Sequence, residues 1–143
     1  MSLHGTYDQS NIFAKIIAGE APCVKIFEDE HAIAFMDLFP QSEGHCLVVP
    51  KEPARNLLEL SEDASKEAIL RVKKLAQAVE KALSPDGVMV AQFNGAPAGQ
   101  TVFHIHFHVI PRYEGSDIAG HGAAGKAETD QLERLAARIR DAL

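Results

Sequence analysis

The feature that most restricts how this chain can fold is the stretch Val102-Phe103-His104-Ile105-His106-Phe107-His108-Val109-Ile110, in which imidazole and apolar side chains alternate from Phe103 to Val109. A period of two belongs to an extended strand, where every second side chain shares a face. The pattern predicts a fifth strand over 102–110 that sets His104, His106 and His108 in a row, each step spanning about 6.5–7 Å. Phe103, Ile105, Phe107 and Val109 are then expected in the core, and Pro111 is expected to end the strand. A lone histidine there would read as a satisfied core or surface residue, whereas three at this spacing point to chemistry.

The rest of the chain reads as the scaffold for that strand. A serine at position 10 opens a short amphipathic helix through Ile12, Phe13, Ile16 and Ile17, closed by Gly19 and Pro22. Residues 24–28 and 32–37 read as a hairpin around Asp29-Glu30-His31. After a polar loop at 40–44, residues 45–49 form a third strand that Pro50 stops. Ser61 begins the longest helix, whose stripe of Ala64, Ala68, Val72, Leu75, Ala76, Val79 and Leu83 predicts one buried face. A fourth strand follows at 88–92. A last helix at about 129–142, capped by Thr129, turns Leu132, Leu135, Ala136, Ile139 and Leu143 one way.

The first three strands are too closely spaced for crossover helices, which favours an antiparallel sheet with helices to one side, an α+β fold. A chain of 143 residues makes one domain by default, expected over 10–143 behind a flexible tail at 1–9. The formal net charge of −6 argues against nonspecific nucleic-acid binding but leaves a nucleotide pocket open. No apolar run is long enough for a membrane span, and the N-terminal residues lack the basic start and apolar run of a secretory signal, so a cytoplasmic location is expected. Cys23 and Cys46 are read as reduced, structural thiols.

Two kinds of site suit the histidine row. His-x-His on a strand is a legitimate zinc spacing, so a zinc-dependent hydrolase is one alternative. The other is phosphoryl transfer, in which one imidazole attacks phosphorus, a neighbour fixes its tautomer and another assists the leaving group. The loop just before the row, Asn94-Gly95-Ala96-Pro97-Ala98-Gly99-Gln100-Thr101, favours the second. Its glycines let backbone approach an anion, and Gln100 and Thr101 add an amide and a hydroxyl donor.

The segment Gly99-Gln100-Thr101-Val102-Phe103-His104-Ile105-His106-Phe107-His108-Val109-Ile110-Pro111-Arg112 resembles the signature of the histidine triad (HIT) family. The likeness extends upstream to cover roughly 11–112. This resemblance implies the HIT-like fold, a five-stranded antiparallel meander extended across a homodimer, with the helix after Arg112 as a C-terminal extension. It makes His106 the nucleophile, with His104, His108 and His45 as its catalytic neighbours. Asp37 and Leu38 would hold the ribose, and Asn94, Gly99, Gln100 and Thr101 the phosphate. Ile12, Phe13, Ile16 and Phe35 would form the purine slot, where the bland alternative is ordinary core. The implied partner is a purine nucleotide or nucleotide conjugate, with no cofactor. The implied activity is cleavage at the α-phosphate of phosphoramidates, adenylylated conjugates or dinucleoside polyphosphates through a nucleotidyl-histidine.

The chain also departs from the family pattern. Phe93 stands where asparagine or glutamine is frequent, which together with the divergent C-terminus keeps a nucleotide-binding scaffold with incidental hydrolysis as a second alternative. Asn11 and Ala14 stand where some members carry a zinc-binding Cys-x-x-Cys pair, so no structural zinc is expected.

Overall fold

The computed structural model describes residues 3–116 and 125–143. His121, which has no assigned role although its glycine-rich segment is expected to be loose enough to approach a substrate, lies outside the described residues. In chain order the elements are α1 (Ile12–Ile17), β1 (Lys25–Glu28), β2 (Ala32–Met36), β3 (Cys46–Pro50), α2 (Glu62–Leu83), β4 (Gly87–Ala91), one 3₁₀ turn (Ala96–Ala98), β5 (Phe107–Arg112) and α3 (Thr129–Asp141). The five strands form one sheet in the order β1-β2-β3-β5-β4, with every neighbouring pair antiparallel. The first three strands run as a meander. Strand β5 then enters between β3 and β4, which leaves β4 on the edge.

Alternation along the strands divides the core into two layers. Ala32, Ala34, Met36, Cys46, Val48, Ile105, Phe107 and Val109 join one cluster with Val72, Leu75 and Val79 of α2 and with Leu132, Leu135, Ala136 and Ile139 of α3. Ile33, Phe35, Leu47 and Val49 face the other way, onto Phe13 and Ile16 of α1. Thus α2 and α3 lie to one side as expected, whereas α1 covers the opposite face. With both faces covered, β2 and β3 are buried at every residue. Leu143, expected on the buried face of α3, is 43% exposed.

Local chemistry moves several boundaries from their expected places. The cap of α1 is Asn11, whose Oδ1 accepts the Ala14 N–H at 2.9 Å, while Ser10 bonds back to Asp8. Glu128 precedes α3 without a side-chain cap, and Thr129 is its first helical residue. Pro50 and Pro111 close their strands from within. Pro111 pairs with Val88 of β4, and its carbonyl accepts the Ser42 hydroxyl at 2.5 Å beyond the last β3 pair, so its missing N–H deprives no strand of a bond. Within the stretch expected as a flexible tail, two described residues are fastened: Asn56 Nδ2 donates to the Leu3 carbonyl at 2.8 Å and Arg55 to that of Thr6 at 3.3 Å.

The largest difference lies in the histidine segment itself. Strand β5 begins only at Phe107, because the 102–106 backbone bonds elsewhere, with the Ile105 N–H donating to the Ala54 carbonyl at 2.8 Å. Phe103 leaves the core and lies under the Arg55 guanidinium, 4.9 Å from its ring centre. Among the described residues no helix is long and apolar enough to cross a membrane.

Candidate active site

A cleft of about 380 Å³ opens on the α1 side of the sheet, within the size range of small-ligand sites. Ile12, Phe13, Ile16, Phe35, Asp37, Leu38, Thr101, His106 and His108 all line it, so helix α1, the end of β2 and the entry to β5 converge there. Pro22, Cys23, Met36, Phe39, Leu47 and Val102 line it as well, and none of these was singled out from the sequence. Phe39, at 41% exposed, is the one that a search for exposed aromatics beside a carboxylate would have found. Burial pushes the Cys23 thiol above its ordinary range, so that side chain is a neutral, polarizable part of the wall.

The sequence-derived row does not enter the cleft as a unit. The rings of His106 and His108 stand edge to face, 5.1 Å apart between centres, and both line the cavity. Phe13 backs His106 at 4.9 Å and Phe93 backs His108 at 5.4 Å. The His104 imidazole is elsewhere: Nε2 meets the Pro50 carbonyl at 2.7 Å, and Nδ1 meets the Tyr7 hydroxyl at 2.5 Å. Burial lowers its pKa, only partly offset by the bond to Pro50, which favours the neutral ring. His104, expected beside His106 in the site, is thus a buried bridge between Pro50 and Tyr7 and does not line the cleft.

The bonds of the other rings fix their tautomers. A carbonyl oxygen only accepts, so the contact of His106 Nδ1 with the His104 carbonyl at 2.7 Å requires a proton on Nδ1 and leaves the lone pair on Nε2. His45 is fully buried behind the cleft, and its Nδ1 accepts the Gln41 N–H at 2.9 Å. Neutral His45 therefore carries its proton on Nε2, which lies 2.9 Å from His108 Nδ1 and 3.4 Å from Asp37 Oδ2. That donation makes His108 Nδ1 an acceptor and places the His108 proton on Nε2. Asp37 is held in turn, with its Oδ1 taking the Phe39 N–H at 2.8 Å. Gly44, with φ +97°, makes the approach to His45 possible, since a Cβ there would sit 2.3 Å from Leu83 Cδ1.

The same bonds test a metal. Asp37, His45 and His108 form a group of possible ligands whose atoms lie within 4.8 Å of one another. A neutral imidazole has one lone pair, and on His45 the Gln41 N–H takes it. The donor set therefore suits a hydrogen-bond relay and does not fit a zinc ion.

The loop before the histidines divides in the same way. Thr101 is exposed at the cleft, whereas Gln100 is 3% exposed and serves the loop. Gln100 Oε1 accepts the Gly95 N–H at 2.8 Å, and its Nε2 donates to the carbonyls of Arg55 and Val102 at 2.6 and 3.0 Å. Asn94 Oδ1 accepts from the Leu57 N–H and from Gln92. Gly99 turns at φ +109° with its Cα against Phe93. Gln100, Asn94 and Gly99 thus shape the turn that delivers Thr101, and none of the three lines the cleft.

Fold and site define an α+β protein with an apolar ligand slot that ends on a carboxylate and two tautomer-fixed imidazoles. The HIT domain model matches residues 18–115, and the chain belongs to the histidine triad family. The chain is 43% identical over 122 residues to Protein hit of Bacillus subtilis strain 168, covering 85% of this chain and 83% of that one. It is 46% identical over 103 residues to the adenosine 5'-monophosphoramidase hnt1 of Schizosaccharomyces pombe, covering 72% and 74%. A crystal structure of a Hit-like protein from Bartonella henselae, described as involved in cell-cycle regulation and bound to an unknown ligand, superposes with a TM-score of 0.90 at 47% identity. That match covers 96% of this chain and 100% of the other.

Proposed function

We propose that the protein is a nucleotide hydrolase or transferase that cleaves the α-phosphate linkage of purine nucleoside phosphoramidates, adenylylated conjugates or dinucleoside polyphosphates. The observation that carries this reading is the His106 ring in the cleft wall with Nδ1–H tied to a carbonyl and the lone pair on Nε2. The fission yeast relative carries the name of a monophosphoramidase, an activity of the same kind.

In this reading the base lies between Ile12, Phe13, Ile16 and Phe35, and Leu38 packs on the sugar. Asp37 accepts from the ribose hydroxyls. His106 Nε2 attacks the α-phosphorus; the N–P bond forms, the bond to the leaving group breaks, and that electron pair departs with the leaving group, which, where it is an amine, leaves with a proton taken up from solvent. The ring becomes cationic as the bond forms, so its Nδ1–H bond to the His104 carbonyl strengthens in the transition state and contributes to kcat. The His108 Nε2–H donates to charge developing on oxygen, as does the Thr101 hydroxyl. Water then attacks the same phosphorus, the N–P pair returns to His106, and a nucleoside monophosphate and a proton are released.

A cytoplasmic homodimer belongs to the same proposal. The sheet ends on β4, whose Val90 is 47% exposed, an edge on which a second copy would continue the ladder. Sedimentation at micromolar concentration tests it.

The decisive chemical experiment is His106→Asn. Adenosine 5'-phosphoramidate turnover and the acid-labile nucleotidyl adduct should both vanish while the thermal transition stays cooperative. A variant that still turns over refutes the mechanism, and tight AMP binding by a wild-type protein that converts none of these substrates supports the scaffold reading instead.

A further inference from the structure

His104 is 1% exposed and its ring takes no part in the cleft, yet both of its nitrogens are engaged. Since the Pro50 carbonyl accepts from Nε2, the neutral ring holds a lone pair on Nδ1, and the Tyr7 hydroxyl must be the donor at 2.5 Å. The two rings meet edge to face, 5.6 Å between centres. Tyr7 sits in the N-terminal segment, which is anchored on either side of it through backbone carbonyls: Leu3 to Asn56, Thr6 to Arg55, and Asp8 to Asn11 of the α1 cap.

We propose that Tyr7 is a positioning residue for the nucleophile: its hydroxyl fixes the tautomer and orientation of the His104 ring, and with them the carbonyl on which His106 rests. The peptide unit between His104 and Ile105 is the shared part. Its N–H donates to the Ala54 carbonyl at 2.8 Å, and its carbonyl accepts His106 Nδ1–H at 2.7 Å. The His104 side chain grips Pro50 from the same residue, so the unit is located by two points on the 50–54 segment and by Tyr7 from the opposite side. Take away the hydroxyl and a buried imidazole keeps a lone pair with no donor, which favours rotation of the ring or exchange of its tautomer. Either change shifts the acceptor that aims His106 Nε2. The proposal rests on His106 being the nucleophile and goes beyond it, because it carries the control of that nitrogen to a residue at the start of the chain.

The test is Tyr7→Phe in the full-length protein, which keeps the ring and every backbone anchor. With adenosine 5'-phosphoramidate as the probe, kcat is expected to fall about tenfold or more with KM changed by less than about threefold, the size seen when the group orienting a reactive side chain is removed. In ¹⁵N-histidine NMR spectra the His104 Nδ1 resonance should move toward the unbonded pyridine-type position, and the His106 Nδ1–H signal should shift with it. Added to His104→Gln, Tyr7→Phe should have little further effect, because both act through one ring. Unchanged His104 and His106 resonances, an unchanged kcat, or fully additive losses overturn the proposal. If wild-type protein forms no nucleotidyl adduct, the nucleophile reading has failed. The two resonances then still decide whether Tyr7 positions the rings, so the two failures are told apart.

Discussion

Substitution of His45 separates its two bonds, because asparagine and glutamine each reproduce one ring nitrogen. In His45→Asn the amide oxygen stands near the position of Nδ1 and keeps an acceptor for the Gln41 N–H, but the donor to His108 Nδ1 is lost. In His45→Gln the amide nitrogen stands near Nε2 and keeps that donor, while the Gln41 N–H loses its partner. Each variant removes one hydrogen bond of a buried or part-buried polar group, at about 1–3 kcal/mol, and removes part of a ring that is 0% exposed. Both are expected to lose about 3 kcal/mol of stability in urea unfolding, less than the roughly 5–15 kcal/mol available to a domain. Their activities should diverge. Asparagine frees His108 to exchange tautomers and turn its proton away from the cleft, so kcat should be at least about tenfold lower than in the glutamine variant. Steady-state kinetics alongside urea titration measures both. Equal kcat losses in the two variants would show that His45 acts through packing alone and would refute the relay.

Asp37→Asn is expected to weaken ribonucleotide binding by about tenfold, and 2'-deoxyribonucleotide binding by less, in calorimetric titration, since an amide keeps only part of the acceptor capacity; equal losses would remove the ribose role. Gly44→Ala combines a strained φ with the 2.3 Å approach to Leu83 Cδ1, and should cost about 2–4 kcal/mol in urea unfolding. Adding Leu83→Ala should recover the steric part but not the backbone part. The pH dependence follows from His104, whose folded pKa is lowered by burial. The unfolded chain takes up that proton first, so stability should be constant above the unfolded value of about 6.5 and decline as pH falls from there toward the folded value. His104→Gln should flatten that part of the curve, and an unchanged slope would place the acid sensitivity elsewhere.

The sheet, its two long helices and the cleft walls were legible because each rests on a period. Residues 32–36 and 46–50 declare two buried faces, and α2 declares one stripe. Asp37, His106 and the α1 residues were found through motif and resemblance, and the cleft does gather them. What the sequence concealed is how hydrogen bonds overrule a period. Alternation runs unbroken from Phe103 to Val109, yet the backbone of Ile105 bonds to Ala54 outside the sheet, so the strand waits until Phe107. Gln100 looks like an anion donor in one dimension and spends its amide on the loop in three. Tyr7 had no signal, because its partner is 97 residues away in the chain.

The consequence reaches the chemistry. An unbroken row would give three equivalent imidazoles, each free to choose its tautomer from its neighbours. The break at Phe107 makes them unequal. His104 faces the 50–54 segment and Tyr7, His106 turns Nδ1 back onto the preceding carbonyl, and His108, already in the sheet, looks to His45. Each ring thus has one nitrogen assigned by a group of fixed polarity or through a neighbour that has one: a carbonyl for His104, a carbonyl for His106, and a backbone N–H acting through His45 for His108. A carbonyl cannot donate and an amide cannot accept, so these assignments do not drift with the protonation of nearby side chains. The proposed nucleophile and donor are thereby distinguished by backbone bonding, although both are histidines two residues apart.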